Sequence, residues 1–172
     1  METEAIRIGV VMQRRQLNSI WQPYQWHPVE IVTDAALSGE SLRCLRHDAA
    51  DTRWLFGGFD VKLYGDEAEG YFLNVNSPAP CWFVMWRLED INGAEVAAPK
   101  SITLSYNEAA RLMDGGEQVD TVPATPEIIA RLTAFVQAYY KPEPKHKRKK
   151  PSFEGGAEVQ NMAKMERDGH GS

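Results

Sequence analysis

Apolar side chains come in short blocks along the first two thirds of this chain, then change period. Ile6, Ile8, Val10 and Val11 crowd the run Ile6–Met12 with β-branched residues, which predicts a strand closed by Arg14 and Arg15. Residues 18–35 follow, where Trp21, Pro23, Tyr24, Trp26 and Pro28 precede a second strand over Val29–Val32. Prolines lack an amide donor and restrict the residue before them, so the aromatic stretch itself is expected to be an ordered loop. A turn at Ser38–Gly39 leads to an imperfectly alternating strand over 41–46. Trp54–Phe59 is apolar but contains Gly57 and Gly58, the mark of a bend or a close backbone approach.

Phe59, Val61 and Leu63 then alternate with polar neighbours, and after GDEAEG at 65–70 so do Tyr71, Leu73 and Val75. Two period-two runs about a glycine-containing connection predict an antiparallel hairpin. Cys81–Trp86 is apolar at every position, as a central strand covered on both faces would be, or one at an interface. Asn92–Gly93 signals a two-residue turn into a weaker strand over 94–98.

From residue 105 the period becomes helical. Ser105 and Glu108 have capping-box spacing and Gly115–Gly116 supply a stop. Thr125 with Pro126 opens a second helix, whose apolar face is Ile128, Ile129, Leu132, Phe135, Val136 and Tyr139. The predicted fold class is α+β: a mostly antiparallel sheet with two C-terminal helices packed on it, followed by a disordered basic tail. Residues 1–140 form the single domain and 141–172 the tail.

Charge sharpens that division. Residues 1–140 hold 11 Lys and Arg against 19 Asp and Glu, a balance of -8, whereas residues 141–172 hold 8 against 5, a balance of +3. Six of the ten residues in 141–150 are Lys or Arg, and the stretch contains no core-forming residue. An acidic body is not the positive face expected of a duplex-binding domain. Among 172 residues, 43% apolar, no stretch approaches the ~20 apolar residues of a membrane span. Residues 1–20 place Glu2 and Glu4 before a short apolar run and the arginines after it, unlike a secretory leader, so a cytoplasmic protein is expected.

Candidate chemistry is sparse. Cys44 and His47 have no second pair at zinc-finger spacing, and neither a metal nor a cofactor is expected. The glycines of 57–70 match neither a phosphate loop nor a dinucleotide fingerprint. Asp66, Glu67 and Glu69 read as a solvated turn, Ser105 as a helix cap, and no Ser/His/acid set can be assembled. No catalytic residue is assigned. Five tryptophans in one small domain point instead to packing or to protein contacts, since Trp and Tyr are enriched in interface hot spots. The candidate docking residues are Trp21, Tyr24, Trp26, Trp54, Trp82 and Trp86, together with Lys145, Lys147, Arg148, Lys149 and Lys150 of the basic run.

The segments IGVVMQRRQLNSIWQPYQWHPVEI, VKLYGDEAEGYFLNVNSPAPCWFVMWR and LSYNEAARLMDGGEQVDTVPATPEIIARLTAFVQAYY, with the closing KRKK, resemble a proteobacterial family of small domains without an assigned biochemical activity. The resemblance spans residues 6–150, and its specificity lies in the order and spacing of individually weak motifs. Genes of that family lie beside those of formate dehydrogenase and its maturation factors. Some members carry descriptions tied to molybdopterin-guanine dinucleotide biosynthesis. The resemblance implies an accessory role in assembling or regulating a molybdenum- or tungsten-containing formate dehydrogenase. It also implies hallmark positions at Arg14, Trp21, Trp26, Pro28, Glu67, Glu69, Gly70, Tyr71 and Glu108, as scaffold or docking residues.

A non-enzymatic cytoplasmic docking protein, with a formate dehydrogenase subunit or maturation factor as partner, is therefore the leading expectation. The alternatives are an enzyme or cofactor carrier in molybdenum-cofactor maturation, which ought to hold a pterin or nucleotide, and a nucleic-acid-associated regulator using Lys145–Lys150.

Overall fold

A computed structural model describes residues 5–33, 39 and 42–142. The expected turn at Ser38–Gly39 falls mostly outside the described residues, and the tail beyond Pro142 entirely so. The architecture is α+β with two antiparallel sheets rather than one. Strand β1 (Ile6–Gln16) pairs with β2 (Tyr24–Val32) on one side and with β4 (Asp51–Val61) on the other; β3 (Leu42–His47) completes the order β2-β1-β4-β3. The second sheet has β5 (Cys81–Ile91) at its centre between β6 (Ala94–Thr103) and β7 (Gln118–Pro123). Among the described residues three helices accompany them: α1 (Ala68–Val75), α2 (Tyr106–Asp114) and α3 (Pro126–Tyr139).

Most of the short apolar runs become strands. Gly58 lies in β4 at φ 87°, and the register between β1 and β4 shifts between Ile8 and Val10, the irregularity anticipated from the paired glycines. Pro28, expected in a loop, sits inside β2. It is tolerated there because β2 is an edge strand and the ladder slips between Val11 and Met12, beside Pro28. The Asn92–Gly93 turn joins β5 to β6 with both residues at positive φ, 53° and 86°, as a type I′ hairpin requires.

The second half of the predicted hairpin is wrong. Tyr71, Leu73 and Val75 belong to helix α1, entered through a 3-10 turn over Gly65–Glu67. Ala68, Tyr71 and Asn74 are buried at helical spacing while Leu73, which a strand would have turned inward, is exposed. In so short a segment the polar Asn74 masks the helical stripe. Strand β7 has no counterpart in the sequence reading, because its apolar content is only Val119 and Val122. Both C-terminal helices start where expected, the Thr125 side chain accepting from the Ile128 amide and Ser105 from that of Glu108.

The main core lies between the sheets and under two helices. Ile6, Ile8, Val10 and Met12 of β1 meet Trp82 and Val84 of β5, with Tyr71 of α1 and Ile128, Leu132 and Phe135 of α3 in the same cluster. Phe83 and Met85 on the other side of β5 are buried too, and the ring of Tyr106 on α2 meets Phe83 edge to face. The doubly covered central strand expected at Cys81–Trp86 is present. Val11, Val32 and Leu55 make a smaller cluster. All six residues of β3 are exposed. Among the described residues no helix is long and apolar enough to cross a membrane.

Candidate protein-binding groove

Both walls of one groove are continuations of the core. Along β1 the inward-facing series passes from buried Met12 to half-buried Arg14. Along β5 it passes from Trp82 and Val84, fully buried, through half-buried Trp86 to Leu88, which is 50% exposed. The apolar lining thus outlasts the closure of the sheets. The space left is about 540 Å³, and Arg14, Pro23, Tyr24, Trp26, Trp86 and Leu88 line it, with Gln22, Ala94 and exposed Glu95 beside them.

The connection from β1 to β2 overhangs this groove and is internally braced. The Leu17 amide donates to the Pro23 carbonyl at 2.7 Å, and the Ser19 hydroxyl accepts from the amides of Trp21 and Gln22, each at 3.2 Å. Held this way, the tip presents Ile20 and Trp21 outward, Trp21 at 89% exposure. Within the groove the Arg14 guanidinium lies 4.1 Å over the ring of Tyr24, a cation–π contact. Its Nη2 donates to the Thr52 hydroxyl at 3.4 Å, while Nε is buried without an acceptor. Trp86 is oriented by its indole N–H, which donates to the Asp120 carboxylate at 2.7 Å.

The candidate docking residues therefore divide. Tyr24, Trp26 and Trp86 come together at the groove, though Trp26 is 9% exposed and is mainly wall; Trp21 stands outside the lining, exposed on the adjoining connection. Trp82, at 1% exposure, is core and is withdrawn as a contact residue, because a fully enclosed indole offers nothing to a partner. Trp54 packs against the same core from β4. Lys145, Lys147, Arg148, Lys149 and Lys150 lie outside the described residues. Residue types did not place Arg14 at this site; it entered only as a hallmark position implied by the resemblance. The signal was the parity of β1, whose core-facing positions end on an arginine.

A second polar cluster joins α1 to α2. The Ser105 hydroxyl donates to Glu67 at 2.6 Å and accepts from the Glu108 amide at 3.1 Å, and Glu67 also pairs with Arg111. Glu108 does not close the expected box directly. Its carboxylate accepts from the Thr103 hydroxyl at 2.6 Å, which in turn accepts from the Ser105 amide at 3.0 Å. Glu69 accepts from Asn107, so Glu67 and Glu69 are partners of a helix start rather than a solvated hairpin turn. Gly70 is packed against this cap: a Cβ there would lie 2.0 Å from the Ser105 oxygen.

Buried Ser105 has both functions of its hydroxyl occupied, and its bonds to Glu67 and the Glu108 amide fasten α1 to α2. Tyr71 beside it has its hydroxyl pushed up to about 12 by burial while accepting from the Tyr64 amide. Burial likewise raises the Cys81 thiol, and Cys44 is exposed. No group of three or more His, Cys, Asp or Glu among the described residues could hold a metal ion.

A family model described as a protein of unknown function (DUF3305) matches residues 7–149. No curated protein and no solved structure matches the chain.

Proposed function

The chain belongs to the DUF3305 family, and from that starting point we propose that it is a non-enzymatic accessory protein that docks a protein partner at the groove between its sheets. The observation that carries this reading is the run of aromatic and apolar surface from Tyr24 through Trp86 to Leu88, with exposed Trp21 beside it on a braced connection. Tryptophan and tyrosine supply large contact area at little conformational cost, and such anchors dominate binding energies. The resemblance described above directs the search for the partner to formate dehydrogenase and its maturation factors. The basic run Lys145–Lys150 would add salt-sensitive attraction to an acidic partner.

Quantitative copurification from the native host tests the reading, comparing the full chain with Trp21→Ala and Leu88→Ser variants of equal thermal stability. The expected result is one stoichiometric partner among those proteins whose recovery falls at least about tenfold in either variant. Equal recovery by all three proteins would overturn the reading, as would tight retention of a pterin or nucleotide in place of a protein.

A further inference from the structure

Resting on that docking reading, we infer that the groove selects a partner segment carrying a Glu or Asp side chain next to apolar residues, with the carboxylate received by Arg14. Among the described residues the arginine is the only cation lining the groove, and it forms no ion pair with any of them. Three other arginines of the same sheet differ, Arg7 pairing with Asp60, Arg46 with Asp48 and Arg53 with Asp51, while Arg15 donates to Gln25. The fold gives Arg14 the Tyr24 ring and one long bond from Nη2 to Thr52; Nε is enclosed, and the donors left for a partner are those of the terminal nitrogens. A guanidinium so placed retains donor capacity in surroundings of lowered dielectric, and its planar fork matches a carboxylate.

Apolar surface lies on both walls around that charge, Trp86 and Leu88 on β5 and Pro23, Tyr24 and Trp26 opposite. An occupant that reaches both is a stretch of polypeptide rather than a small anion. Its acidic group then falls within the segment, as a side chain does, and not at the end of a chain. Glu95 stands exposed at the rim and disfavours a run of acids, so the favoured segment carries a single carboxylate flanked by apolar residues.

The test is selection of a random twelve-residue peptide library on the full chain, followed by titration of enriched sequences as acetyl- and amide-capped peptides. The expected outcome is an acidic residue fixed beside an aromatic or aliphatic one, with Kd rising about tenfold or more when that residue becomes Gln or Asn. Arg14→Gln should erase the difference between acid and amide peptides, whereas Arg15→Gln, at the next, exposed position, should leave it intact. Folding of each variant is checked by its thermal transition, and Arg14→Lys, which keeps the charge but not the fork, should show an intermediate preference.

Enriched peptides without an acid that still lose affinity in Trp21→Ala would overturn this inference and spare the docking reading. Peptides that bind only with a free C-terminal carboxylate would overturn the side-chain assignment. Preferential binding of a synthetic peptide of residues 143–172 would overturn an external partner, and no enrichment on the full chain would overturn the inference outright.

Discussion

Asn74 offers the sharpest test of how the helices are tied to the second sheet. Its side chain is 1% exposed; Nδ2 donates to the carbonyls of Cys81 at 2.8 Å and Leu104 at 2.9 Å, and Oδ1 accepts from the Cys81 amide at 3.0 Å. One amide thus joins α1 to the first residue of β5 and to the residue before the α2 cap. Asn74→Ala removes three bonds and strands three backbone groups, each costing about 1–3 kcal/mol when left buried. Cys81 is only half-buried, so water recovers part of that, and the expected loss is about 3–5 kcal/mol. For a body of this size that is a fall in Tm of about 10–15 °C.

Asn74→Asp discriminates further, because it puts a carboxylate oxygen where Nδ2 faced two carbonyls. Burial and the facing dipoles raise the acid's pKa in the folded state, so the penalty is largest well above that value and shrinks as pH falls through it. Urea titration followed by tryptophan fluorescence, at neutral pH and near pH 5, reads both effects. The reasoning fails if Asn74→Ala costs less than about 1 kcal/mol, or if Asn74→Asp is as stable as Asn74→Ala at neutral pH and gains nothing in acid.

Three more outcomes follow from geometry already described. Gly70→Ala drives a methyl into the Ser105 oxygen, which Glu67 and the Glu108 amide hold in place; a loss of about 1–3 kcal/mol is expected by denaturant titration, and a neutral result would mean the cap can move aside. Trp26→Ala should cost about 3–5 kcal/mol, whereas Trp21→Ala should stay within about 0.5 kcal/mol; comparable losses would show that the hairpin tip packs inward. His27 has its pKa lowered from 6.5 by burial first, then by Arg15 and Arg53, against an opposing pull from Asp120. Its folded form binds a proton less readily than the unfolded chain, so stability present above 6.5 is lost as pH falls through the lowered value. His27→Gln should flatten the stability profile in that window; Asp48 and Asp51, lowered from 3.8, act only in stronger acid.

Much of this fold is legible because its signals are local. The caps at Ser105 and Thr125, the Asn92–Gly93 turn and the unbroken apolar run at Cys81–Trp86 each follow from short-range chemistry. What escaped depends on distant partners. Helix α1 is decided by Asn74 finding Cys81 and Leu104, which no periodicity encodes, and β7 is held by pairing with β5 more than by its own residues. The groove was half legible: its aromatic residues stood out by type. Which of them are wall, core or exposed tip depends on where the sheets part. Arg14 carries meaning only once Tyr24 lies beneath it.

Because the groove is an unfinished end of the core, an occupant there acts as a missing piece of the fold as well as a ligand. Folding and partner concentration are then linked by mass action: a partner present at about 100 times its Kd would add about 2.7 kcal/mol to stability. Cellular abundance of the protein would in turn follow that of its partner, with unliganded copies the first to be degraded.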